Sequence, residues 1–556
     1  MISETHSAFL RVGFRAKVNA DETSFVKDFM TSLGLFKVRV ILNGSDLTAM
    51  PHAYVIQRPD SLPVNTLRHL TNDGYLCYIN QDERTWDPTD KLGLVALINL
   101  RIQKTLDVII DPNVSIDIHE EFSNYWLGDS PLYVLSEDKA CKVYSLNTPA
   151  PDATDKKSLQ LVIAKDSEQV GKWARKRGAI VLSTKPINII ILKFEKPILP
   201  LNSKWPPQDL SSFVGWLKET SSGAYSAFLT SLTSQLKGGG RKFICYMKTD
   251  GGNIALSFNY RSTINNTAKN LRKVSKLSLI APSLLSSNVI KSFDRLQVFL
   301  CTDDFLLSRN RSDHIQLSNK TILLIGAGSI GGYASSQLMD IGAGTGAKGK
   351  LYIFDNDMYK PENVARHILP PYYIGWTKSK ALKHWMDQVS MSNIRVYAKG
   401  HFETSDISMN DIDLIVNATG HEPISIILSK FIRDNKNVSR LTPLVHGWID
   451  GYGHAIRGLL DTGKACYCCA KDQYPVFQKY SRPEDPFSRI CGKTFTPYDS
   501  GTALMSAAMI QKLALTAFSS NKKENTFLHI PLNATVENTR SRVLKHNKRC
   551  KVCNDE

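Results

Sequence analysis

The side chains with the greatest chemical capacity lie in the last half of the chain. Ten cysteines are present, and six of them come after residue 460. Cys466 and Cys469 form a C-x-x-C pair in KACYCCAKD, and Cys550 and Cys553 form a second in KRCKVC. Two such pairs supply the four thiolates of a tetrahedral Zn2+ site with no open position, so the expected role is structural, pinning the end of the chain to its domain. A disulfide framework is not expected, because 556 residues bury a large core without covalent staples. Of the two other late cysteines, Cys491 sits in SRICGKTFTPYDSGT between Arg489 and Lys493. Neighbouring cations lower a thiol's pKa, which makes Cys491 the candidate nucleophile and Cys468 its substitute.

A second constellation starts at LLIGAGSIGG, residues 323–332. An apolar run leads into Gly326, Gly328 and Gly331 in a G-x-G-x-x-G pattern, which lets backbone N–H groups at a helix start meet a phosphate. The loop alone leaves NAD, FAD and ATP open. Residues 354–380 narrow the choice: Asp355, Asp357, Asn363 and Arg366 in FDNDMYKPENVARHIL, then Gly375 and Lys378 in YIGWTKSKA. A nicotinamide site needs one acidic residue for a ribose. Several polar and cationic groups at fixed offsets suit a nucleoside triphosphate, whose charges must be held and whose leaving pyrophosphate must be stabilised.

The elements that position these groups read as strand (321–325), Gly loop, helix, strand (KLYIFD, 350–355) and a further strand in DIDLIVNATG (411–420), a doubly wound α/β arrangement with its site at the strand C-termini. Upstream, FKVRVIL (36–42) and HAYVIQ (52–57) read as strands and residues 90–106 as a helix. NTPAPDATDKKS (147–158) reads as a linker. The middle of the chain mixes strand-like runs with short helical pieces and carries no chemical motif; Cys141, Cys245 and Cys301 read as buried structural residues. The net charge of +17 is spread without a long Lys/Arg block, KHNKRCK (545–551) being the densest stretch, so a basic solvated surface is favoured over an acidic or nucleic-acid partner. Apolar runs such as INIIIL (187–192) are too short for a membrane span, and MISETHSAFLRVGF has no signal-peptide pattern, so a cytoplasmic protein with no membrane partner is expected.

Residues 321–378 resemble the ATP-binding core of ubiquitin-activating enzymes and of the ThiF-type bacterial proteins that activate sulfur carriers. That family reads Gly loop, strand, D-x-D-x-V, N-x-x-R and G-x-x-K; here Tyr359 stands in place of the Val. The resemblance implies that Asp355 holds the ribose and that Asn363, Arg366 and Lys378 hold the phosphates of ATP. It also implies a homodimer in which an arginine before the Gly strand, Arg309 or Arg311, reaches into the partner subunit's site. The family's Mg2+-binding Asp after the fourth strand is replaced by Gly420 in NATGHEP, which leaves His421, Glu422 or Asp357 as its substitute. The family carries the same two cysteine pairs, and its thioester-forming cysteine lies where Cys491 lies.

The stretch 68–106 is similar to ubiquitin-conjugating enzymes, whose pattern is H-P-N, then G-x-I-C-L, then W-x-P and an apolar helix. Gly74, Cys77, Trp86 and Pro88 fall in place, and the resemblance makes Cys77 a thioester carrier. Leu67, Arg68 and His69 replace the H-P-N triplet, so His69 is expected to stabilise the oxyanion in place of Asn. HEEFSNYW (119–126) resembles a marker of bacterial versions of this domain.

The expected organisation is therefore a conjugating-like α+β domain (1–146), a middle α+β scaffold (147–308) and a Rossmann-like ThiF-type adenylation domain (309–556). This order resembles the fused ubiquitin-transfer-like proteins of bacterial CBASS antiphage operons. That resemblance implies ATP-dependent conjugation of the C-terminus of a cGAS-like nucleotidyltransferase to a target lysine, through thioesters on Cys491 and then Cys77. A ubiquitin-like acyl donor, a sulfur carrier, or an ATP-binding scaffold with reduced catalysis are the alternatives.

Overall fold

In a computed structural model the described residues are 4–19, 22–44, 47–60, 62, 69–71, 73–79, 86–111, 122–126, 128–138, 140–148, 158–183, 185–194, 205–264, 281–311, 313–390, 392–406, 411–435, 441–450, 453–473, 497–520, 526–532 and 540–554. The chain divides into two compact units, Met1–Ala174 with Gly178–Phe299, and Arg175–Arg177 with Leu300–Glu556.

The first unit contains two sheets. The first has the order β1 (Arg15–Asn19), β2 (Glu22–Thr31), β3 (Gly34–Ile41), β4 (His52–Gln57) and β5 (Tyr75–Leu76), all antiparallel. In β3, Phe36, Val38 and Val40 are buried while the residues between them are not, the alternation a half-buried strand requires. Helix α1 (Glu4–Arg11) and helix α2 (Lys91–Ile109) share this core. Asp90 starts α2 by accepting the Gly93 N–H at 2.8 Å. Leu94, Val95, Ile98, Ile102, Leu106 and Ile109 recur every three or four residues and form its buried stripe.

The second sheet places β6 (Ser130–Val134), β7 (Lys142–Thr148), β8 (Ser158–Ala164), β9 (Ile180–Val181), β10 (Asn188–Lys193), β11 (Lys242–Lys248), β12 (Ile254–Tyr260) and β13 (Ile290–Leu300) in the order β10-β11-β12-β13-β6-β8-β7-β9. Two of these strands, β6 and β7, begin before the expected boundary at 146. Their buried Leu132, Val134, Val143 and Leu146 are satisfied by pairing with β8, parallel from β6 and antiparallel from β7. The start of the expected linker, through Thr148, is therefore strand; residues 149–157 lie outside the described residues. Helices α3 (Leu210–Thr220) and α4 (Ser222–Lys237) pack on β10–β12 through an aromatic core. Cys141 and Cys245 are buried as expected, whereas Cys301 is only half-buried.

The second unit has one seven-stranded sheet, β14 (Thr321–Ile325), β15 (Lys350–Phe354), β16 (Val396–Lys399), β17 (Leu414–Asn417), β18 (Leu444–Asp450), β19 (Ala455–Asp461) and β20 (Phe527–Pro531), in the order β16-β15-β14-β17-β18-β19-β20. The first five strands are parallel, and the last two pairings, β18 with β19 and β19 with β20, are antiparallel. The chain runs outward from β14 to β15 and β16, then returns to place β17 on the other side of β14. This is the strand-order reversal at which α/β sheets bind ligands. Helices α5 (Ser329–Asp340), α6 (Lys378–Val389) and α9 (Ser500–Thr516) cover one face, and α7 (Glu422–Asp434) packs on the other. The fold class read from the sequence is the fold observed. No helix among the described residues is long and apolar enough to cross a membrane.

Ile98 is fully buried at the centre of the α2 stripe. Its truncation to Ala is expected to destabilise the first unit by about 2–5 kcal/mol, read from its transition in urea unfolding.

Candidate functional site

The tips of β14 and β15 are joined by one carboxylate. Asp355 Oδ2 accepts the Ala327 N–H at 2.7 Å and Oδ1 accepts the Asp357 N–H at 2.8 Å. Burial pushes its pKa up against the opposing effect of these bonds. Each oxygen retains a lone pair for a further donor such as a sugar hydroxyl.

The Gly loop turns at Gly326, whose φ of +93° favours glycine. A Cβ on Gly331 would stand 1.9 Å from the Gly326 carbonyl oxygen, so this glycine is required for the helix to close on the loop. Gly328 caps α5 without a side-chain hydrogen bond, leaving the first-turn N–H groups to a ligand or water.

His367, which no sequence motif marked, locks this loop. Its Nδ1 accepts the Leu369 N–H at 3.1 Å, which makes Nε2 the protonated nitrogen, donating to the Ala327 carbonyl at 2.9 Å. Burial pushes its pKa down to about 4. Gly332 provides the space, since a Cβ there would lie 2.7 Å from the imidazole. The proximity of His367 to Arg366 in sequence was the available signal.

The remaining nucleotide-site candidates line the segment from β15 to α6. Lys378, in the first turn of α6, is mostly buried and forms an ion pair at 3.0 Å with the exposed Asp357. Asn363 Oδ1 accepts the Lys360 N–H at 3.0 Å. Tyr359 is fully buried, its hydroxyl donating to the Leu369 carbonyl at 2.5 Å, and it fills the core position of the family's Val. Gly375 has φ +89° and donates its N–H to the Tyr359 carbonyl at 2.9 Å. Arg366 stacks on Tyr498, 4.8 Å from guanidinium carbon to ring centre, another partnership the sequence did not reveal.

The candidates for the missing Asp at 420 fare unequally. Gly420 turns the chain with φ +63°. His421 is the exposed cap residue of α7, and Glu422 is engaged by Lys471 Nζ at 2.5 Å. Below them Asn417 and the buried His446 form a polar network, Asn417 Nδ2 lying 2.9 Å from Ser425 Oγ and 3.1 Å from His446 Nδ1. Of the two arginines before β14, Arg311 is held by both oxygens of Asp313 at 2.7 and 2.8 Å, while Arg309 lies 5.8 Å from the Phe305 ring centre.

The two C-x-x-C pairs converge. The sulfurs of Cys466, Cys469, Cys550 and Cys553 all lie within 4.8 Å of one another, with Cys466–Cys550 at 3.5 Å, Cys469–Cys553 at 3.6 Å and Cys466–Cys469 at 3.9 Å. Zinc–sulfur bonds of about 2.3 Å in a tetrahedron place sulfurs about 3.8 Å apart, so donor type and spacing both fit. Cys469 lies on helix α8 (Tyr467–Gln473), and its Sγ also accepts the Asn547 N–H at 3.4 Å. Nearby, the buried Arg433 and Asp461 form a two-pronged ion pair at 2.8 and 2.9 Å. Cys468 is half-buried and is not part of the four-sulfur group. Cys491, with Arg489 and Lys493, lies outside the described residues.

In the first unit Cys77 is exposed just after β5. Its N–H donates to the His69 carbonyl at 2.7 Å, beside the Leu70–Leu76 bridge. His69 has φ +54°, uncommon for a non-glycine residue, and its N–H donates to the Tyr125 hydroxyl at 3.0 Å. Gly74 is obligatory in this turn, since φ is +88° and a Cβ would lie 2.6 Å from the Val55 carbonyl oxygen. Trp86 donates Nε1–H to the Leu47 carbonyl at 3.0 Å, and Pro88 leads into α2. Leu67 and Arg68 lie outside the described residues.

Residues 14–135 match the prokaryotic E2 family B and residues 288–554 match the ThiF family. An E2-like region thus stands ahead of a ThiF-like region, the organisation of a fused E2-like/ThiF protein, and points to an ATP-dependent transferase of ubiquitin-like conjugation. Among its relatives is the ATP-dependent ubiquitin transferase-like protein Cap2 of Vibrio cholerae serotype O1, 28% identical over 603 residues and covering all of both chains. Another is the Cap2 protein of Escherichia coli, 27% identical with 97% of this chain and 94% of that one aligned. Among solved structures, E. coli MccB with ATP aligns with 43% of this chain and 68% of its own, at 19% identity and a TM-score of 0.32.

Gly331→Ala is expected to remove measurable ATP binding in calorimetry, because its methyl group cannot be accommodated against the Gly326 carbonyl. The buried histidines make a separate prediction. His367 and His446, with pKa values pushed by burial to about 4 and about 3, bind fewer protons folded than unfolded. Their stabilisation is complete above the ordinary imidazole value near ~6.5 and is lost as pH falls toward their folded values. The melting temperature of the second unit should therefore decline from pH 6.5 to 4 less steeply in a His367→Asn protein than in wild type.

Proposed function

We propose that this protein adenylates the C-terminal carboxylate of a partner protein, a cGAS-like nucleotidyltransferase, and delivers it to an amine through two cysteines. The observation that carries the reading is an exposed Cys77 thiol, set in a backbone bridge to His69, on the same chain as the Asp355-tied Gly loop.

The partner's carboxylate oxygen attacks the ATP α-phosphorus, and pyrophosphate leaves. Asp355 takes the ribose hydroxyls; Asn363, Arg366 and Lys378 hold the phosphates. Lys378 exchanges Asp357 for a phosphate oxygen. Asp357, freed from that pair, would hold a Mg2+ ion, which would supply charge neutralisation at the phosphates. The Cys491 thiolate then displaces AMP from the acyl carbon. Cys77 takes the acyl group by thiol exchange, Cys491 leaving as its thiolate. Finally a lysine amine attacks the thioester, Cys77 leaves, and the amine's proton passes to solvent, while His69 stabilises the oxyanion. Having both cysteines on one chain raises their effective concentration for each other. Arg309, unlike Arg311, need not leave a carboxylate to reach a partner subunit's nucleotide in a homodimer. Cys466, Cys469, Cys550 and Cys553 would hold a structural Zn2+, which supplies cross-linking and no reaction step.

Intact mass after mixing with Mg-ATP and the nucleotidyltransferase, without reductant, tests the relay. Wild type is expected to give a reductant-sensitive adduct that is trapped on Cys491 in Cys77→Ala and absent in Cys491→Ala. An adduct that persists without Cys491 overturns its assignment, and an adduct formed only with a ubiquitin-like protein overturns the choice of donor. Absence of pyrophosphate exchange with every C-terminal glycine donor favours the scaffold. Elemental analysis is expected to give about one zinc per chain, lost in Cys466→Ser together with several degrees of melting temperature.

A further inference from the structure

The segment HEEFSNYW, residues 119–126, has no task in the reaction above, yet its described part touches both sheets of the first unit. Ser123 donates its N–H to the Gly251 carbonyl at 3.1 Å, in the loop before β12. Trp126 donates Nε1–H to the Ala255 carbonyl within β12 at 2.7 Å. Its indole is buried in the second core, 5.4 Å from the ring of Trp205. Tyr125, between these anchors, is also buried, but its hydroxyl oxygen serves the other sheet's turn, accepting the His69 N–H at 3.0 Å. The His69 carbonyl in turn accepts the Cys77 N–H at 2.7 Å. Two hydrogen bonds therefore link a residue fixed in the middle sheet to the backbone of the exposed cysteine.

The intermediate link is the unusual one. His69 is in the left-handed region, where a β-carbon is crowded, and nothing in a free turn would keep it there. An acceptor held by a rigid neighbour does so. We propose that the Tyr125 hydroxyl is a positioning group for acyl transfer from Cys77, with the middle domain as the rigid support through which it acts. This inference rests on the reading of Cys77 as the transferring cysteine. Collapse of the tetrahedral intermediate breaks the carbon–sulfur bond at Cys77 while His69, in the reaction proposed above, stabilises the developing oxyanion, so the relative placement of these two residues sets the rate. Loading of Cys77 by thiol exchange has less need of that placement, because an exposed thiolate attacks an incoming thioester without the acceptor amine. Loss of the hydroxyl therefore separates the two half-reactions, which a general loss of folding does not.

The full chain in a Cys491→Ala background supplies the test, with a glycine-terminated peptide thioester of mercaptoethanesulfonate as the probe. The probe loads Cys77 without ATP, and intact mass tracks loading and then discharge to added lysine. Tyr125→Phe, which keeps the ring, is expected to load at the wild-type rate and to discharge on the order of tenfold more slowly. Equal discharge by the two proteins overturns the role of Tyr125 and leaves Cys77 as the carrier. Wild-type discharge no faster than from the same thioester on a short cysteine peptide overturns the reading of Cys77 itself. Should Tyr125→Phe melt early, Trp126→Phe takes its place, keeping the Tyr125 hydroxyl while removing the indole bond to Ala255 and part of the packing against Trp205. Slower discharge with normal loading then supports the positioning role, and unchanged discharge overturns it.

Discussion

The loops of the second unit's candidate site are organised around one half-buried carboxylate. Asp355 bonds the backbone of the Gly loop with one oxygen and the backbone of the neighbouring acidic segment with the other. The tips of β14 and β15 are adjacent in the sheet because their apolar strands pair, but strand pairing does not fix the loops beyond them. A carboxylate with two N–H donors does, and those donors oppose the upward push of burial on its pKa. Two further residues are positioned from this fixed point: Lys378 through its own N–H bond to the Asp357 carbonyl, and His367 through the Ala327 carbonyl whose N–H partner is Asp355. Size restrictions complete the arrangement. Gly331 must be bare for α5 to reach the loop, and Gly332 must be bare for the imidazole to lie beneath it.

The charges of this site balance in the resting protein. Lys378 is nearly enclosed and has Asp357 as its counter-ion; Arg366 rests against the face of Tyr498. Both partnerships are of a kind that a phosphate can replace. Asp357 is largely exposed, so its ion pair is screened by water and contributes little to stability. A cation over an aromatic ring is held by a modest attraction that a doubly charged oxygen cluster exceeds. Tyr498 immediately precedes Asp499, the residue that caps α9 with bonds of 2.7 and 2.8 Å to Thr502, so the stacked arginine also fixes the start of α9.

How much of this was legible in the sequence differed by the range of the interaction. The Gly loop, the acidic segment and the cysteine pairs are local patterns, and local geometry carries them: Gly326 and Gly375 do adopt positive φ, and the two distant pairs do meet at four sulfurs. His367 was illegible because its role depends on the hole left by Gly332 and on a carbonyl 40 residues earlier. Tyr498 was illegible for the same reason. The domain boundary near 146 was drawn from polar, proline-containing residues, but β6 and β7 take their sheet from β8, a partnership that composition does not encode. Conversely, HAYVIQ at 52–57 coincides with β4 to the residue, since a short apolar run rich in aromatic and β-branched residues is a property of the segment itself.

The departures from the family pattern gain meaning when placed in their surroundings. With Gly at 420 and Glu422 committed to Lys471, the loop after β17 presents no free carboxylate of its own to a cation. Asn417, three residues before Gly420, is uncharged as well, and there the reason is visible. Its carbonyl oxygen accepts from both the N–H and the hydroxyl of Thr419, while its amide donates to Ser425 and to the neutral His446. The amide suits this place because it donates on one side, to Ser425 and His446, and accepts on the other, from Thr419. The loop is thus built on a neutral network buried beneath it, shaped by hydrogen bonds rather than by charge. Magnesium is commonly bound by one or two carboxylates and by the phosphates of its nucleotide. In the proposed site, Asp357 on the opposite loop is the carboxylate that would serve it, and in the resting protein that carboxylate is paired with Lys378.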